Sequence, residues 1–257
     1  MPLVCTPKSL PRHHLIAAAE RAVAENPVNA PPAAGIMMAL ATPTREHLAM
    51  LTTKWWGAKG VHLTVGFLDN PSAELRWRLL AHLNAWGETA NVRFVMGGQD
   101  PQVRIAREGG PTGGYWSYLG TDVLSIGAGH PTLNLEGFTM ETPESEFRRV
   151  VRHEAGHTLG FPHEHMRREL VALIDPRKAI AYFAATQGWS AEEVRRQVLT
   201  PLEEASLWGT ARADPNSVMA YQIPGALTIS GEPILGGLDI DPSDAAFAAL
   251  VYPQARR

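Results

Sequence analysis

One stretch near the middle of the chain constrains its fold and chemistry more than any other. Residues 153–163 read His-Glu-Ala-Gly-His-Thr-Leu-Gly-Phe-Pro-His. His153 and His157 are four residues apart, so on a helix both imidazoles project from one face and can reach one metal ion. Gly160 permits a left-handed or sharply turned backbone, which lets the chain bring His163 back to the same ion.

The same stretch predicts a catalytic zinc site and not a structural one. Three protein ligands leave one coordination position open for water or substrate. Glu154 follows the first ligand and is placed to take a proton from a water molecule rather than to bind the ion. Paired histidines occur often by accident, but the longer pattern arises by chance in about one chain of this length in ten thousand. We therefore expect one Zn²⁺ held by His153, His157 and His163, with Glu154 as general base.

The composition predicts a globular chain without a polyanionic or membrane partner. Apolar residues make up 45% of the 257 positions, which is enough for a sizeable core. Charged residues are mixed in sign and the net charge is −3, so nothing favours nucleic acid or an anionic membrane surface. No run approaches the ~18 apolar residues that a membrane span requires.

The beginning of the chain bears on its compartment. Residues 1–5, Met-Pro-Leu-Val-Cys, lack the basic region and apolar stretch of a secretory signal. Cys5 is the only cysteine, so no intrachain disulfide can form, which agrees with a reducing compartment. We expect a protein that stays in the cytoplasm or is exported by a route without a signal peptide.

Hydrophobic periodicity predicts an α+β domain behind an N-terminal extension. Alternation of apolar and polar residues predicts strands, and i, i+3, i+4 spacing predicts helices packed against a mixed sheet. Residues 1–50, with a helix over 13–25 and a proline-rich arm, form the extension, a possible pro-segment. Residues 51–257 form the catalytic domain, with an upper subdomain of 51–163 and a lower one of 164–257. The predicted strands are 61–67, 92–95, 103–105, 123–126 and 132–135, and the predicted helices are 70–86, 142–159, 177–187, 191–199 and 241–251.

The zinc motif and a later segment together resemble the metzincin metallopeptidases. Residues 217–221 read Ser-Val-Met-Ala-Tyr and are similar to the methionine-containing turn of that class. The resemblance implies that Met219 packs beneath the three histidines without binding zinc; an ordinary core methionine is the alternative. It also implies a mixed twisted sheet, two long helices in the N-terminal subdomain, a zinc cleft, and a mostly irregular or helical C-terminal subdomain.

Within this class the chain looks most like the astacins, over about residues 51–253. Residues 160–164, Gly-Phe-Pro-His-Glu, are similar to the astacin Gly-Phe-x-His-Glu. The resemblance implies that Tyr221 binds zinc as a fifth ligand or stabilises the oxyanion; a buried tyrosine bonded to backbone is the alternative. It further implies a cleft-edge strand that pairs with an extended substrate. That strand would contain Leu124, Ser125, Ile126 and Gly127.

Three departures separate the chain from typical astacins. Astacins are normally secreted and carry two disulfides, and this chain has neither a secretory signal nor the cysteines. Ala220 stands where astacins usually have histidine. Residues 222–224, Gln-Ile-Pro, lack the arginine that favours acidic residues after the scissile bond in some members. These changes leave the zinc chemistry intact and the substrate preference open.

Three residues near the motif or on the arm need separate interpretation. Cys5 could reach the cleft and bind zinc as a thiolate, which keeps some metzincins latent; a small buried hydrophobic residue is the alternative. Glu164 either ties down a mature N-terminus, as in astacins, or anchors Arg167 or Arg168 locally. His165 is predicted not to bind the metal.

The sequence as a whole predicts a zinc-dependent endopeptidase that acts on protein or peptide chains. Peptide bonds would be hydrolysed by a zinc-activated water, with Glu154 as general base. One alternative is a zinc-binding regulator without turnover, against which the presence of Glu154 argues. A second is a processing enzyme for a single partner. The oligomeric state is not predicted.

Overall fold

The computed structural model describes residues 5, 8–31, 49, 52–57, 59–201, 213–220 and 222–254. Its helices are α1 (Leu15–Glu25), α2 (Ala73–Leu83), α3 (144–158), α4 (Arg168–Val171), α5 (Pro176–Gln187), α6 (Ala191–Val194) and α7 (Pro242–Val251). Its strands are β1 (Val61–Phe67), β2 (Val92–Met96), β3 (Val103–Ala106), β4 (Tyr115–Ser117) and β5 (Leu133–Leu135). Among these described residues, no helix has the length and apolarity to cross a membrane.

The strands form one mixed sheet in the order β2-β1-β3-β5-β4. Strands β2, β1, β3 and β5 run parallel to one another, and β4 pairs antiparallel with β5 at the edge of the sheet. Alternate residues Val61, Leu63 and Val65 of β1 are buried, as a period-two pattern requires. The predicted α+β class with a mixed sheet is therefore confirmed.

The predicted strand over 123–126 is wrong, because Gly120–Ser125 forms a 3-10 helix. Gly120 has a φ of +46°, in the left-handed region that turns the chain out of an extended path. The Thr121 amide then donates to the Lys54 carbonyl at 2.9 Å, and the Asp122 amide to the Leu119 carbonyl at 3.0 Å. These amides therefore cannot donate to a neighbouring strand. The edge of the sheet that was predicted to be formed by residues 124–127 is formed by β4 instead.

Helix α2 begins at Ala73, later than the predicted helix start at residue 70. The Ser72 hydroxyl accepts a hydrogen bond from the Leu75 amide at 3.2 Å and caps the helix. Asn70, at the predicted start of the helix, instead accepts from Arg76 Nη2 at 2.9 Å.

Helix α3 contains an irregular turn immediately before the zinc motif. Its first residues, Glu144–Glu146, and its last, Arg152–Thr158, are α-helical, whereas Phe147–Val151 forms a π-helical turn. Phe147, Val150 and Val151 on this turn are buried in the main core beneath the sheet. Such turns are frequent at functional sites.

The described residues form two hydrophobic clusters. The main one joins the sheet to α2, α3 and α7, and includes Leu79, Ile105 and Phe147. The second belongs to the lower subdomain and includes Phe183 from α5. Cys5 is part of the second cluster, so the N-terminal arm packs into the lower subdomain.

Candidate metal centre

Three histidines from α3 and the following loop converge in the interior. The Nε2 atom of His163 lies 3.1 Å from Nε2 of His153 and 3.0 Å from Nε2 of His157. All three side chains are buried. Cys5 joins them, since one ligand atom from each of the four residues lies within 4.8 Å of the others.

The turn that returns His163 to the helix depends on Gly160. Its φ of +94° lies in the left-handed region, where a side chain would be strained. The Gly160 amide donates to the His157 carbonyl at 2.8 Å, and the Phe161 amide to the Gly156 carbonyl at 3.0 Å. The helix therefore ends in a tight reversal that sends the next residues back towards its ligand face.

Backbone carbonyls orient two of the rings. Nδ1 of His153 lies 2.6 Å from the Val218 carbonyl, and Nδ1 of His157 lies 2.8 Å from the Phe161 carbonyl. A carbonyl oxygen only accepts, so each Nδ1 carries the proton and donates it. Each Nε2 is then left with a lone pair directed into the site, which is the form that binds a metal.

The donor set fits a zinc ion. Burial lowers the pKa of His157 to about 4, and burial together with the neighbouring histidines holds the pKa values of His153 and His163 well below their usual range. The rings are neutral at neutral pH, so none carries a positive charge that would repel a cation. Tetrahedral zinc at 2.0–2.1 Å places its ligand nitrogens roughly 3.3 Å apart, close to the observed spacing of 3.0 and 3.1 Å.

Glu154 is a buried carboxyl group beside these rings. Its exposed fraction is 0%, and no donor among the described residues hydrogen-bonds to either oxygen at normal distance. Burial raises the pKa of Glu154 to about 8, although Cys5 and Arg149 partly oppose the increase. A carboxyl group with such a pKa can accept and release a proton near neutral pH, as a general base requires.

Met219 lies against α3, the helix that carries His153 and His157. A side chain at Gly156 would collide with the Met219 sulfur and approach Trp86, so glycine at 156 leaves room for the methionine. The Met219 amide donates to the Ser217 hydroxyl at 3.0 Å, and the Met219 carbonyl accepts from the Glu164 amide at 3.0 Å. The turn is thus bonded to the loop that carries His163.

Asp244 supports the same turn, a role that the sequence did not reveal. Its Oδ1 accepts from the Ser217 hydroxyl at 2.5 Å and its Oδ2 from the Val218 amide at 2.8 Å. The Val218 carbonyl in turn holds the His153 ring. Asp244 also completes the capping box at the start of α7 with Asp241. Because capping already accounts for an aspartate at this position, no sequence signal points to the second contact.

The remaining predicted residues divide into those the structure places and one it does not describe. Glu164 Oε1 accepts from the Asp214 amide at 3.1 Å and lies 3.6 Å from Arg167 Nη1, which is the local-anchor alternative. His165 directs Nε2 to the Gln197 carbonyl at 3.2 Å and is not part of the four-residue cluster. Tyr221 lies outside the described residues.

Cys5 and Lys8, on the N-terminal arm that precedes Leu10, lie at the edge of the sheet next to this centre. Cys5 forms a parallel β-bridge with Tyr115 on β4, and Lys8 Nζ lies 4.7 Å from the Trp116 ring centroid. Arg21 of α1 donates from Nη1 to the Leu124 carbonyl at 2.5 Å. The arm and α1 therefore cover both β4 and the 3-10 helix that follows it.

The metal-free protein should lose stability as the pH falls from about 6.5 towards 4. Burial lowers the pKa of His157 to about 4 and that of His165 to about 3, whereas the unfolded chain binds these protons near pH 6.5. The unfolded state then holds more protons, so the free energy of unfolding decreases by up to about 1.4 kcal/mol per pH unit for each histidine. Urea midpoints of chelator-treated protein across this range measure the net slope, which the raised pKa values of Glu154 and Asp244 partly offset. A stability that increases as the pH falls would contradict neutral buried rings.

Solved structures of zinc proteases resemble this chain. One structure of myroilysin is 31% identical, covers 79% of this chain and 97% of its own, and superposes with a TM-score of 0.73. A second myroilysin structure is 31% identical, covers 78% and 86%, and gives 0.59. The fold also matches the hatching enzyme zinc-protease HCE-1 of the medaka fish Oryzias latipes, at 18% identity, 76% and 90% coverage and 0.50. No protein-family model and no curated protein sequence matches the chain.

The fold and the likeness to myroilysin together define the enzyme class. A chain that matches nearly all of myroilysin at this identity, and that gathers three histidines beside its sheet, is a metalloendopeptidase of the metzincin type. Within that class it belongs to the astacin-like family.

Proposed function

We propose that the chain hydrolyses peptide bonds at one zinc ion held by His153, His157 and His163, with Glu154 as general base. The convergence of three neutral Nε2 atoms beside a buried carboxyl group supports this assignment most directly. The myroilysin and hatching-enzyme folds supply independent support for a zinc-dependent peptidase.

Each residue would have a defined part in the reaction. A zinc ion bound by the three histidines would polarise the scissile carbonyl and lower the pKa of water. Glu154 would take a proton from the attacking water and return one to the leaving amine. Tyr221 would donate a hydrogen bond to the oxyanion of the tetrahedral intermediate, or bind the ion as a fifth ligand. Met219 would act only by packing.

Substrate would bind along β4 and not along residues 124–127. β4 is the terminal strand of the sheet, and an edge strand presents free backbone groups that can pair with an extended peptide. The parallel bridge between Cys5 and Tyr115 supports this assignment, because it places another chain segment on that edge.

Cys5 would hold the enzyme in a latent state. Its sulfur lies within 4.8 Å of one nitrogen from each of the three histidines, so it would be a fourth ligand to an ion that they hold. Without a cation, burial and the nearby Glu154 raise the pKa of the Cys5 thiol well above its usual range. A cation makes the thiolate the stable form, so Cys5 would block substrate from zinc until the arm is displaced.

Zinc analysis beside a cleavage assay tests the proposal. We expect about one zinc per chain, and cleavage of a denatured protein by the wild type or by Cys5→Ala. A chelator should abolish the cleavage and added zinc should restore it. No zinc in the purified chain would overturn the proposal. Zinc without cleavage by either protein would instead favour a narrow processing enzyme or a binding role.

A further inference from the structure

The N-terminal region has a second attachment to the catalytic domain besides Cys5. Asn29 is fully buried and its side chain makes four hydrogen bonds. Nδ2 donates to the carbonyls of Ala22 at 2.8 Å and Trp55 at 2.7 Å. Oδ1 accepts from the Trp55 amide at 2.9 Å and from the Thr53 hydroxyl at 2.8 Å. The amide therefore satisfies both backbone groups of Trp55 while bonding to the end of α1.

We call the hydrogen bonds of Asn29 to residues 53 and 55 the clamp, and further contacts reinforce it. The Thr53 amide donates to the Asn29 carbonyl at 3.2 Å, and Asn26 Nδ2 donates to the Trp56 carbonyl at 2.8 Å. One face of α1 is buried, through Ala18, Ala19 and Ala22. We call residues 52–56, which receive these contacts, the strap. The bonds join buried amide groups, so they differ from exposed ion pairs that contribute little.

The strap itself is fixed to the helix that carries the metal ligands. Trp56 Nε1 donates to the carbonyl of Thr158, the last residue of α3, at 2.8 Å. The Trp56 amide donates to the Tyr252 hydroxyl at 3.1 Å, and Lys54 pairs with Asp122 at 3.3 Å. Asn29 is thus linked through one short segment to the end of α3, beyond His157.

The chain before Leu10 is held differently. Leu10 is buried, whereas Ser9 is exposed and Lys8 is half-buried over the Trp116 ring. Cys5 forms a β-bridge to Tyr115 and reaches the metal centre. This arm, which precedes Leu10, contacts the cleft. The clamp residues Asn26 and Asn29 follow Leu10 in the sequence.

We propose that residues 10–31 are a permanent part of the catalytic domain, held by Asn29, and that only the arm before Leu10 leaves the cleft on activation. Removal of residues 10–31 would leave the buried amide and carbonyl of Trp55 without these partners, and such groups are costly to leave unsatisfied. The boundary of the catalytic domain then falls near residue 10 and not near residue 50. The part concerning Cys5 rests on the latency proposed above, and the part concerning Asn29 does not.

A nicked chain tests the clamp. A site-specific protease sequence with glycine-serine flanks is inserted between residues 40 and 41 of the full chain, which is then cut and passed through gel filtration. Mass spectrometry measures whether the N-terminal fragment elutes with the remainder. The inserted chain is compared as wild type, Cys5→Ala, Asn29→Ala and Asn84→Ala. Asn84 is the matched control, because its side chain bonds Leu80 and Phe94 through similar amide contacts away from α1.

We expect the fragment to stay bound in wild type, Cys5→Ala and Asn84→Ala. Asn29→Ala should weaken retention at least about tenfold, because it leaves several buried groups unpaired. Release of the fragment from Cys5→Ala, with the remainder still folded, would overturn the proposal without any change at Asn29. Equal weakening by Asn84→Ala would also overturn it. Retention is measured by mass, so the test of the clamp works equally well on a chain that lacks zinc or peptidase activity.

Discussion

Glu154→Gln should keep its zinc and lose nearly all peptide hydrolysis. The amide has almost the same shape as the carboxyl group, and the three histidines that would hold zinc are untouched. It cannot accept a proton from water, however, and Glu154 is the buried carboxyl group whose pKa of about 8 suits that transfer. We expect kcat to fall by about 10²- to 10⁴-fold, the usual contribution of general acid–base catalysis.

The comparison requires zinc content and initial rates on the same preparations, with each substitution made in the Cys5→Ala chain so that the proposed latency does not mask turnover. Glu146→Gln is the matched control, since Glu146 lies on the same helix and pairs with Arg149 at 2.7 Å, outside the four-residue cluster. It should keep both zinc and turnover. Full activity in Glu154→Gln would show that another group takes the proton. Loss of zinc in Glu154→Gln would mean that Glu154 acts on the metal site itself.

Cys5→Ala should raise peptidase activity at least about tenfold while leaving zinc content unchanged. A thiolate on the open position competes with substrate, and each tenfold gain corresponds to removal of about 1.4 kcal/mol of that competition. Alanine also removes the thiol that lies beside Glu154 and opposes the rise of the Glu154 pKa. The expected change lies in kcat/KM, because the arm would no longer occupy the site that substrate must reach.

Ser9→Ala serves as the control for Cys5→Ala, since Ser9 is exposed on the same arm. It should leave activity at the wild-type level. Equal activity and equal zinc in Cys5→Ala and wild type would refute latency. Cys5 would then be a small buried hydrophobic residue of the lower subdomain, the alternative that its place in the second cluster also fits.

The convergence of the three histidines could be predicted because the helix fixes their geometry locally. Four-residue spacing places His153 and His157 on one face, and the left-handed Gly160 returns His163. The cleft edge could not be read in this way. Residues 124–127 have the apolar alternation of a strand, yet Thr121 bonds to Lys54, a residue far away in sequence. Local pattern carries no information about such a partner, and the 3-10 helix prevailed over the predicted strand.

The N-terminal region shows the same limit. Proline content predicts that the segment around Asn29 is irregular, but it says nothing about the Asn29 side chain. Three of the four hydrogen bonds of that side chain join it to residues of the strap. Asp244 completes the capping box at the start of α7, a local role, while its contact with the methionine turn depends on the folded chain. In both cases one polar side chain joins distant segments, and the pattern around it describes only its own element.

The π-helical turn at Phe147–Val151 changes the directions in which the side chains of α3 point, without interrupting the helix. A regular helix advances by about 100° per residue, and a π turn absorbs roughly one additional residue without ending the helix. Residues before and after the turn therefore face directions that a uniform period would not relate. Shortening this turn by one residue could preserve a continuous helix while rotating the core-facing residues against the ligand pair. The orientation of His153 and His157 towards His163 therefore depends partly on the one additional residue that the π turn accommodates earlier in the helix.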